Sequence, residues 1–487
     1  MRSVLIAIVA VAFGGISCSE AAPAGASHDS TQPPNGQPPS GSSSHDWTRF
    51  GWDAARSNAS TDPTGIDSTN VKTLKRQEVL LDGTIDASPI YLHGVQVNGA
   101  AHDVFVVTST YGKTYAIDAN DGSILWKFTP DGYNGVAGSN LVTTATPVAD
   151  PDRQSVYAAS PDGNIRKLAL ADGRVVWTTS ITKRPDREKI ASALNFDRGH
   201  VIATTGGYIG DAPPYQGHVA LIDAATGNLV SVWNALCSDR TGLIDPSSCP
   251  ESDAAIWGRA GAVVDPATGD IFVATGNAKW DGQTYWGDAV IELDPTATHI
   301  VGNYTPSNTD QLNAGDVDVG STSPVLLGNG VVAQGGKDGT IRVLGADAVR
   351  QSGSHRGGEA QTVPTPSSSA LFTAPAVWHA PSGTTWMFAG DGGGTAAWTV
   401  SGGQLHQAWK NSNRGTSPVL AGGLLYVFDA NGGLRVYQPE SGVLVTTLEC
   451  GGGHWNSPII VDGMIAIPDG NSNSHATGGT LNIFRLP

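Results

Sequence analysis

Four cysteines are too few to build a disulfide framework across 487 residues, and no Cys-x-x-Cys-His occurs, so no covalent haem is implied. Basic residues are scarce and scattered: 28 Lys and Arg stand against 44 Asp and Glu, for a formal net charge of −16. That balance makes nucleic acid and anionic membrane surfaces poor partners. There is no Gly-x-Ser-x-Gly, no His-Glu-x-x-His and no phosphate-cradling glycine loop, which leaves hydrolase, zinc-protease and nucleotide-binding readings without support. Helical periodicity is almost missing as well. Instead, 62 Gly and 29 Pro punctuate short β-rich runs, the pattern of an all-β chain.

Long apolar runs are equally rare. Met1-Arg2 precedes a single unbroken one at residues 4–13, too short to span a bilayer and right for the core of a signal peptide. Gly14-Gly15-Ile16-Ser17-Cys18 then supplies small residues for processing. Ser17-Cys18 resembles a bacterial lipoprotein box, with Gly15 where Leu is usual, so lipidation of Cys18 and ordinary cleavage both stay open. Residues 1–18 are thus read as a signal peptide. Residues 19–45 are Pro, Ser, Gly, Ala and Gln with almost no large apolar side chain, and cannot bury enough surface to offset their ordering entropy, which makes them a flexible linker. The expected location is the periplasm or cell envelope, or outside the cell, with membrane contact only through a lipid on Cys18. Cys237 and Cys249 bracket a polar loop and suit a local disulfide in an oxidising compartment, worth roughly 3 kcal/mol in loop entropy. Cys450 is left single.

Residues 46–487 exceed what one simple core holds, and they repeat. The unit is a small-residue–Pro start, a strand, a Gly/Asp turn, a second strand, an Asp-Ala-x-x-Gly-like turn and a last strand often carrying Trp. Clear copies begin at Ser88-Pro89 and end at Trp126, and begin at Thr146-Pro147 and end at Trp177; a third passes through Asp223 to Trp233. A fourth passes through Asp294, and others start at Ser323-Pro324, Ala374-Pro375, Ser417-Pro418 and Ser457-Pro458. Eight copies imply an eight-bladed β-propeller of four-stranded antiparallel blades. The last copy lacks its outermost strand while residues 74–81 have no blade of their own, so the N-terminal strand is expected to close the ring and leave no free edge.

The Asp-Ala-x-x-Gly…Trp repeat, led by Trp47-Thr48-Arg49-Phe50-Gly51-Trp52-Asp53-Ala54-Ala55-Arg56, resembles the β-propeller repeat proteins that bind pyrroloquinoline quinone (PQQ) or descend from those that do. Their relatives include quinoprotein alcohol dehydrogenases, polyvinyl-alcohol-dehydrogenase-like proteins and the BamB-type outer-membrane assembly lipoproteins. The resemblance covers residues 46–487 and is more specific for fold than for activity. It implies that Trp126, Trp177 and Trp233 pack between neighbouring blades.

The least ordinary residues lie between Trp257 and Lys337: an amide, two carboxylates and an ammonium at strand ends of consecutive repeats, placed to converge. In the dehydrogenases a Ca²⁺ or lanthanide ion polarises the quinone, a carboxylate takes the alcohol proton and a cation steadies the quinone oxygens. Thr275-Gly276-Asn277 resembles the motif that supplies an Asn ligand. Asp316-Val317-Asp318 resembles an Asp-aromatic-Asp of which the first Asp is the base and the second an extra ligand, and Lys337 resembles the quinone-side cation. By this resemblance Asn277, Asp316 and Asp318 are metal ligands, Asp316 is the catalytic base, and Trp257, Arg259, Asn277 and Lys337 contact the cofactor. Gly451-Gly452-Gly453-His454-Trp455 opens the last blade, and His454 and Trp455 would stack on a planar ligand or shuttle a proton. Asn413-Arg414 occupies the same place one blade earlier and suits an anionic ligand.

Three features depart from the dehydrogenase pattern, the first being that the indole over one cofactor face, Trp257, lies about two residues early, with Arg259 at the matching spacing. The blade-three Glu is replaced, with Tyr208 nearest and Asp211 the substitute, and the adjacent Cys-Cys pair over the cofactor is missing. Two functions therefore stand side by side: a divergent PQQ- and metal-dependent alcohol or polyol dehydrogenase, and a non-catalytic envelope propeller. The expected partners are a small molecule or polymer in the central funnel, or an envelope protein, with the protein itself a monomer.

Overall fold

The computed structural model describes residues 45–350 and 353–487; the signal peptide, Cys18 and all of the linker except His45 lie outside the described residues. Eight four-stranded antiparallel sheets follow one another around an axis. Blades 1 to 7 span residues 90–128, 148–180, 195–234, 263–304, 325–364, 376–411 and 419–448. Blade 8 combines residues 459–485 with Lys75–Leu81, which pairs antiparallel with Gly479–Arg485 along its whole length. The N-terminal strand thus closes the ring, as expected, and no blade is left with an unpaired seam. Helix is confined to short pieces, the longest being Thr309–Ala314.

The strand sequences explain their order within a blade. Second strands are buried on both faces and read as largely apolar runs: Val104, Phe105, Val106 and Val107 are fully buried, and all five residues of Ser155–Ala159 are buried. Fourth strands face water on one side, so Val175–Ser180 alternates between exposed and half-buried residues.

Blades are clamped together by tryptophan against glycine. The Trp126 indole donates to the Leu170 carbonyl (2.7 Å) and lies over Gly173, while Trp177 donates to the Ala224 carbonyl (3.1 Å) and lies over Gly227. A Cβ on Gly227 would sit 2.7 Å from the Trp177 ring, and its φ of +76° also disfavours any other residue. Trp409 repeats the arrangement on Pro439 and Gly442. Trp233 packs among Ile271, Leu293 and Ala297 of blade 4. Cys237 and Cys249 are bonded to each other, and Cys450 is free and half-buried.

Two rings of hydrogen bonds lock the centre. At one end of the inner strands, the approach segment ahead of each blade reaches the next: Thr144 Oγ1 donates to the Ala191 carbonyl (2.6 Å), Ser192 Oγ to Ile256 (3.1 Å), Thr322 Oγ1 to Thr373 (2.7 Å), Thr416 Oγ1 to Asn456 (2.7 Å) and Asn456 Nδ2 to Ile85 (2.7 Å). At the other end, the lead-in motif at residues 47–64 winds under the ring. Its backbone pairs with Tyr91, Ala149, Val264, Val377, Leu420 and Gly463, and Arg49 donates to the Phe196 carbonyl (2.7 Å). Among the described residues no such hydrogen bond reaches blade 5, although Phe50 packs near Val332 and Leu344, and beside it a groove of about 1030 Å³ opens, walled by Trp52, Val325, Val332, Arg350 and Trp378 among others.

Candidate functional site

Because each approach segment must turn at the axis before its inner strand begins, side chains from many blades meet there. They enclose a cavity of about 300 Å³, at the small end of the range for small-molecule sites. Trp257, Phe372 and Trp455 form its aromatic surface, with ring centroids 5.9 to 6.1 Å apart, and His454 stacks on Trp455 at 4.0 Å. Asn277, Asp316, Asp318, Lys337, Tyr208 and Asp211 line the same cavity, so residues far apart in the chain do converge.

Their contacts differ from the ligand set the sequence suggests. Asp318 is buried; its Oδ1 accepts the Asn277 backbone N–H (2.8 Å), and its Oδ2 accepts the Trp257 Nε1–H (3.1 Å) and the Lys337 ammonium (2.9 Å). Lys337 Nζ also lies 3.0 Å from Asp316 Oδ1. Burial pushes the Asp318 carboxyl up, with Lys337 and the Asn277 N–H opposing it. Burial alone would lower Lys337, yet the two carboxylates hold it above the ordinary lysine value. Behind them Asp288 is fully buried, accepts the Val319 N–H (3.0 Å), and is pushed up to about 8 by burial.

The expected metal centre therefore needs correction. The Lys337 ammonium fills the space between Asp316 and Asp318 that a cation would need, and Asn277 contributes its backbone N–H to Asp318. Among the described residues no three His, Cys, Asp or Glu side chains gather to hold an ion. Tyr208 spends its hydroxyl on the Pro161 and Pro185 carbonyls, and Asp211 accepts the Tyr215 hydroxyl at 3.1 Å. The donor set does not fit a Ca²⁺ or lanthanide ion, which takes six or more oxygens.

Arg259 also needs correction: it does not line the cavity. It is buried behind Trp455, 5.6 Å from that ring, and donates to the carbonyls of Thr144 (3.1 Å), Asp86 (2.8 Å) and Trp455 (3.2 Å). One guanidinium thus ties the approach segments of blades 1, 2 and 8 to its own, a structural use of its five donors. Asn413 and Arg414 do not line the cavity either. Asn413 donates to the Tyr437 hydroxyl, and Arg414 is exposed.

Three contributors were not singled out in the sequence. Phe372 and Asp86 stand three residues ahead of their start prolines, Pro375 and Pro89, as Trp455 stands ahead of Pro458, and that shared slot was a readable signal. Asp86 is fully buried; its Oδ2 accepts the His454 Nδ1–H (2.8 Å) and the Ser472 N–H (2.9 Å), and its Oδ1 accepts the Trp455 N–H (3.2 Å). Burial works to raise its carboxyl, but His454, Arg259 and the Ser472 N–H outweigh burial and hold it down at about 2. Lys189 precedes a blade start without proline, and nothing in the sequence marks it. It lines the cavity deep in the fold, its ammonium has no hydrogen bond or ion pair among the described residues, and burial pushes it down to about 8.

Against known proteins, a family model described as outer membrane protein assembly factor BamB matches residues 70–245. Quinohemoprotein alcohol dehydrogenase ADH IIB of Pseudomonas putida is 24% identical over 316 residues, covering 57% of this chain and 43% of that one. Polyvinylalcohol dehydrogenase of Sphingopyxis sp. (strain 113P3) is 22% identical over 205 residues, covering 39% and 30%. The chain thus spans less than half the length of these curated relatives. Among solved structures, quinohemoprotein alcohol dehydrogenase from Comamonas testosteroni superposes with a TM-score of 0.66 at 17% identity, over 91% of this chain and 80% of that one. A europium-containing methanol dehydrogenase superposes with a TM-score of 0.66 at 16% identity, over 91% and 98%. The chain is thus an eight-bladed β-propeller with the fold of these quinone-dependent dehydrogenases and a partial sequence similarity to them.

Proposed function

We propose that the axial cavity binds a flat, carboxylate-bearing ortho-quinone of the PQQ type and that the protein oxidises an alcohol or polyol there. One observation carries this reading: in a chain of net charge −16, the cavity sets two lysines, Lys189 and Lys337, beside a three-ring aromatic surface. Flat aromatic walls favour a planar ligand, and an unpaired ammonium on a desolvated wall favours an anionic one. The names of the relatives, several of them quinone-dependent alcohol dehydrogenases, point the same way.

Trp257, Phe372 and Trp455 would hold the ring system, Lys189 a carboxylate, and Lys337 with the Asn277 amide the quinone edge. A bound quinone would supply the two-electron acceptor for an alcohol hydride. Lys337 would do the electrostatic work expected of a metal: its ammonium is held on the cavity wall by Asp316 and Asp318 and would face a quinone bound there. Export, with residues 1–18 as the signal and residues 19–45 as the linker, remains part of the proposal.

The test is titration of metal-free protein with PQQ, with and without Ca²⁺ or a light lanthanide, following the quinone absorbance. Binding that needs no metal and weakens at least tenfold in Lys189→Met and Lys337→Met is expected. Binding only with metal would overturn the role given to Lys337. No binding under any condition would favour the second reading, supported by the BamB family match: a non-catalytic envelope propeller holding a protein or polymer partner.

A further inference from the structure

We propose that His454, oriented by Asp86, is the group that takes the substrate hydroxyl proton, in place of Asp316. This rests on the alcohol-oxidising reading of the cavity. A general base needs a free lone pair facing the reacting hydroxyl. Asp316 lacks one: its carboxylate is engaged by the Lys337 ammonium at 3.0 Å and its side chain is 66% exposed, so cation and water compete for its lone pairs.

His454 is arranged in the opposite way. Its Nδ1 lies 2.8 Å from Asp86 Oδ2, on a side chain with no solvent exposure. An ionised carboxylate can only accept, so Nδ1 must carry the hydrogen, and the neutral ring is left with its lone pair on Nε2. Nε2 has no protein partner among the described residues, and the ring, 21% exposed, forms part of the cavity wall. Stacking on Trp455 at an interplanar angle of 20°, together with the Nδ1 bond, prevents the ring from turning over. Asp86 is itself immobilised by the Ser472 and Trp455 N–H groups. Such an Asp–His pair fixes tautomer and orientation and stabilises the imidazolium that forms.

The Nε2 of His454 would take the alcohol O–H proton, and a bound quinone would supply the two-electron acceptor that balances loss of the C–H hydride and gives a carbonyl product. Asp86 offsets the imidazolium charge and stays ionised. His454 is then a catalytic residue and Asp86 a positioning residue.

The experiment has two arms. In the free protein, ¹⁵N–¹H correlation spectra of the histidine rings, with His454 assigned by its loss in His454→Gln, are expected to show the Nδ1-protonated tautomer at neutral pH. Asp86→Asn is expected to shift that tautomer balance. In quinone-loaded protein, His454→Gln is expected to lower kcat by about 10²- to 10⁴-fold while leaving quinone affinity within threefold, and Asp316→Asn to lower kcat by less than tenfold. An Nε2-protonated ring, or a kcat loss larger in Asp316→Asn than in His454→Gln, would overturn the assignment. Failure of the wild-type protein to bind any quinone would instead remove the reading on which the assignment rests.

Discussion

Replacing Asp288 by Asn should change how stability depends on pH, by an amount the structure sets. Asp288 has no solvent exposure; one carboxylate oxygen accepts the Val319 N–H and the other has no partner among the described residues. Burial, reinforced by the nearby Asp318 charge, pushes it up to about 8 from 3.8 in the unfolded chain. Between these values the folded protein holds a proton that the unfolded chain has lost, so stability falls as pH rises, by about 1.4 kcal/mol per pH unit. Over roughly four units the loss is on the order of 5 kcal/mol; the contribution is complete below about pH 4 and gone above the folded value. Asn keeps an oxygen for the Val319 N–H and cannot ionise. Urea unfolding at pH 5, 7 and 9 should show the wild type losing several kcal/mol more than Asp288→Asn across that range. The comparison removes the general alkaline repulsion of an acidic protein, which both share. Parallel pH profiles would refute the claim that Asp288 is protonated in the native state.

Gly227→Ala should destabilise by about 2–4 kcal/mol, because it combines a left-handed backbone with a Cβ 2.7 Å from the Trp177 ring; thermal melts would read it, and a change under 0.5 kcal/mol would discredit the clamp. Cys237→Ser should cost roughly 3 kcal/mol, matched by adding reductant to the wild type but not to the variant. Glu188 and His218, both without solvent exposure, lie 3.1 Å apart; His218→Ala should cost about 3 kcal/mol by leaving the buried carboxylate with only the Thr182 hydroxyl and the Gln216 N–H as donors. The double change Glu188→Gln with His218→Ala should recover part of that loss in urea titrations, and no recovery would mean that packing rather than charge is lost.

The repeat made the architecture legible because each blade is a local pattern. Start prolines, turn glycines and the outer tryptophan recur at fixed offsets, and counting them yields eight blades and an N-terminal strand left to close the ring. Trp257, Asn277, Asp316, Asp318, Lys337, His454 and Trp455 were also visible as unusual chemistry at strand ends, and all of them line one cavity. What the residue types left open is which way each side chain turns. Arg259 stands among those residues in the sequence, yet its guanidinium finds three carbonyls behind Trp455 and never faces the cavity.

The amino-acid sequence by itself thus determined the fold, the closure and the neighbourhood of the site, because all of these follow from periodicity and spacing along the chain, while the structure decided that Cys237 and Cys249 are bonded. Only the tertiary structure decided what that neighbourhood is made of. Closure of the ring carries Asp86 from before the first blade to within 2.8 Å of His454 in the last, a sequence separation of 368 that no local pattern encodes. It also places Lys337 between two carboxylates, where the sequence suggested a metal, and leaves Lys189 unpaired on the cavity wall. Those outcomes depend on competition among donors and acceptors from different blades, which exists only once the blades meet at the axis.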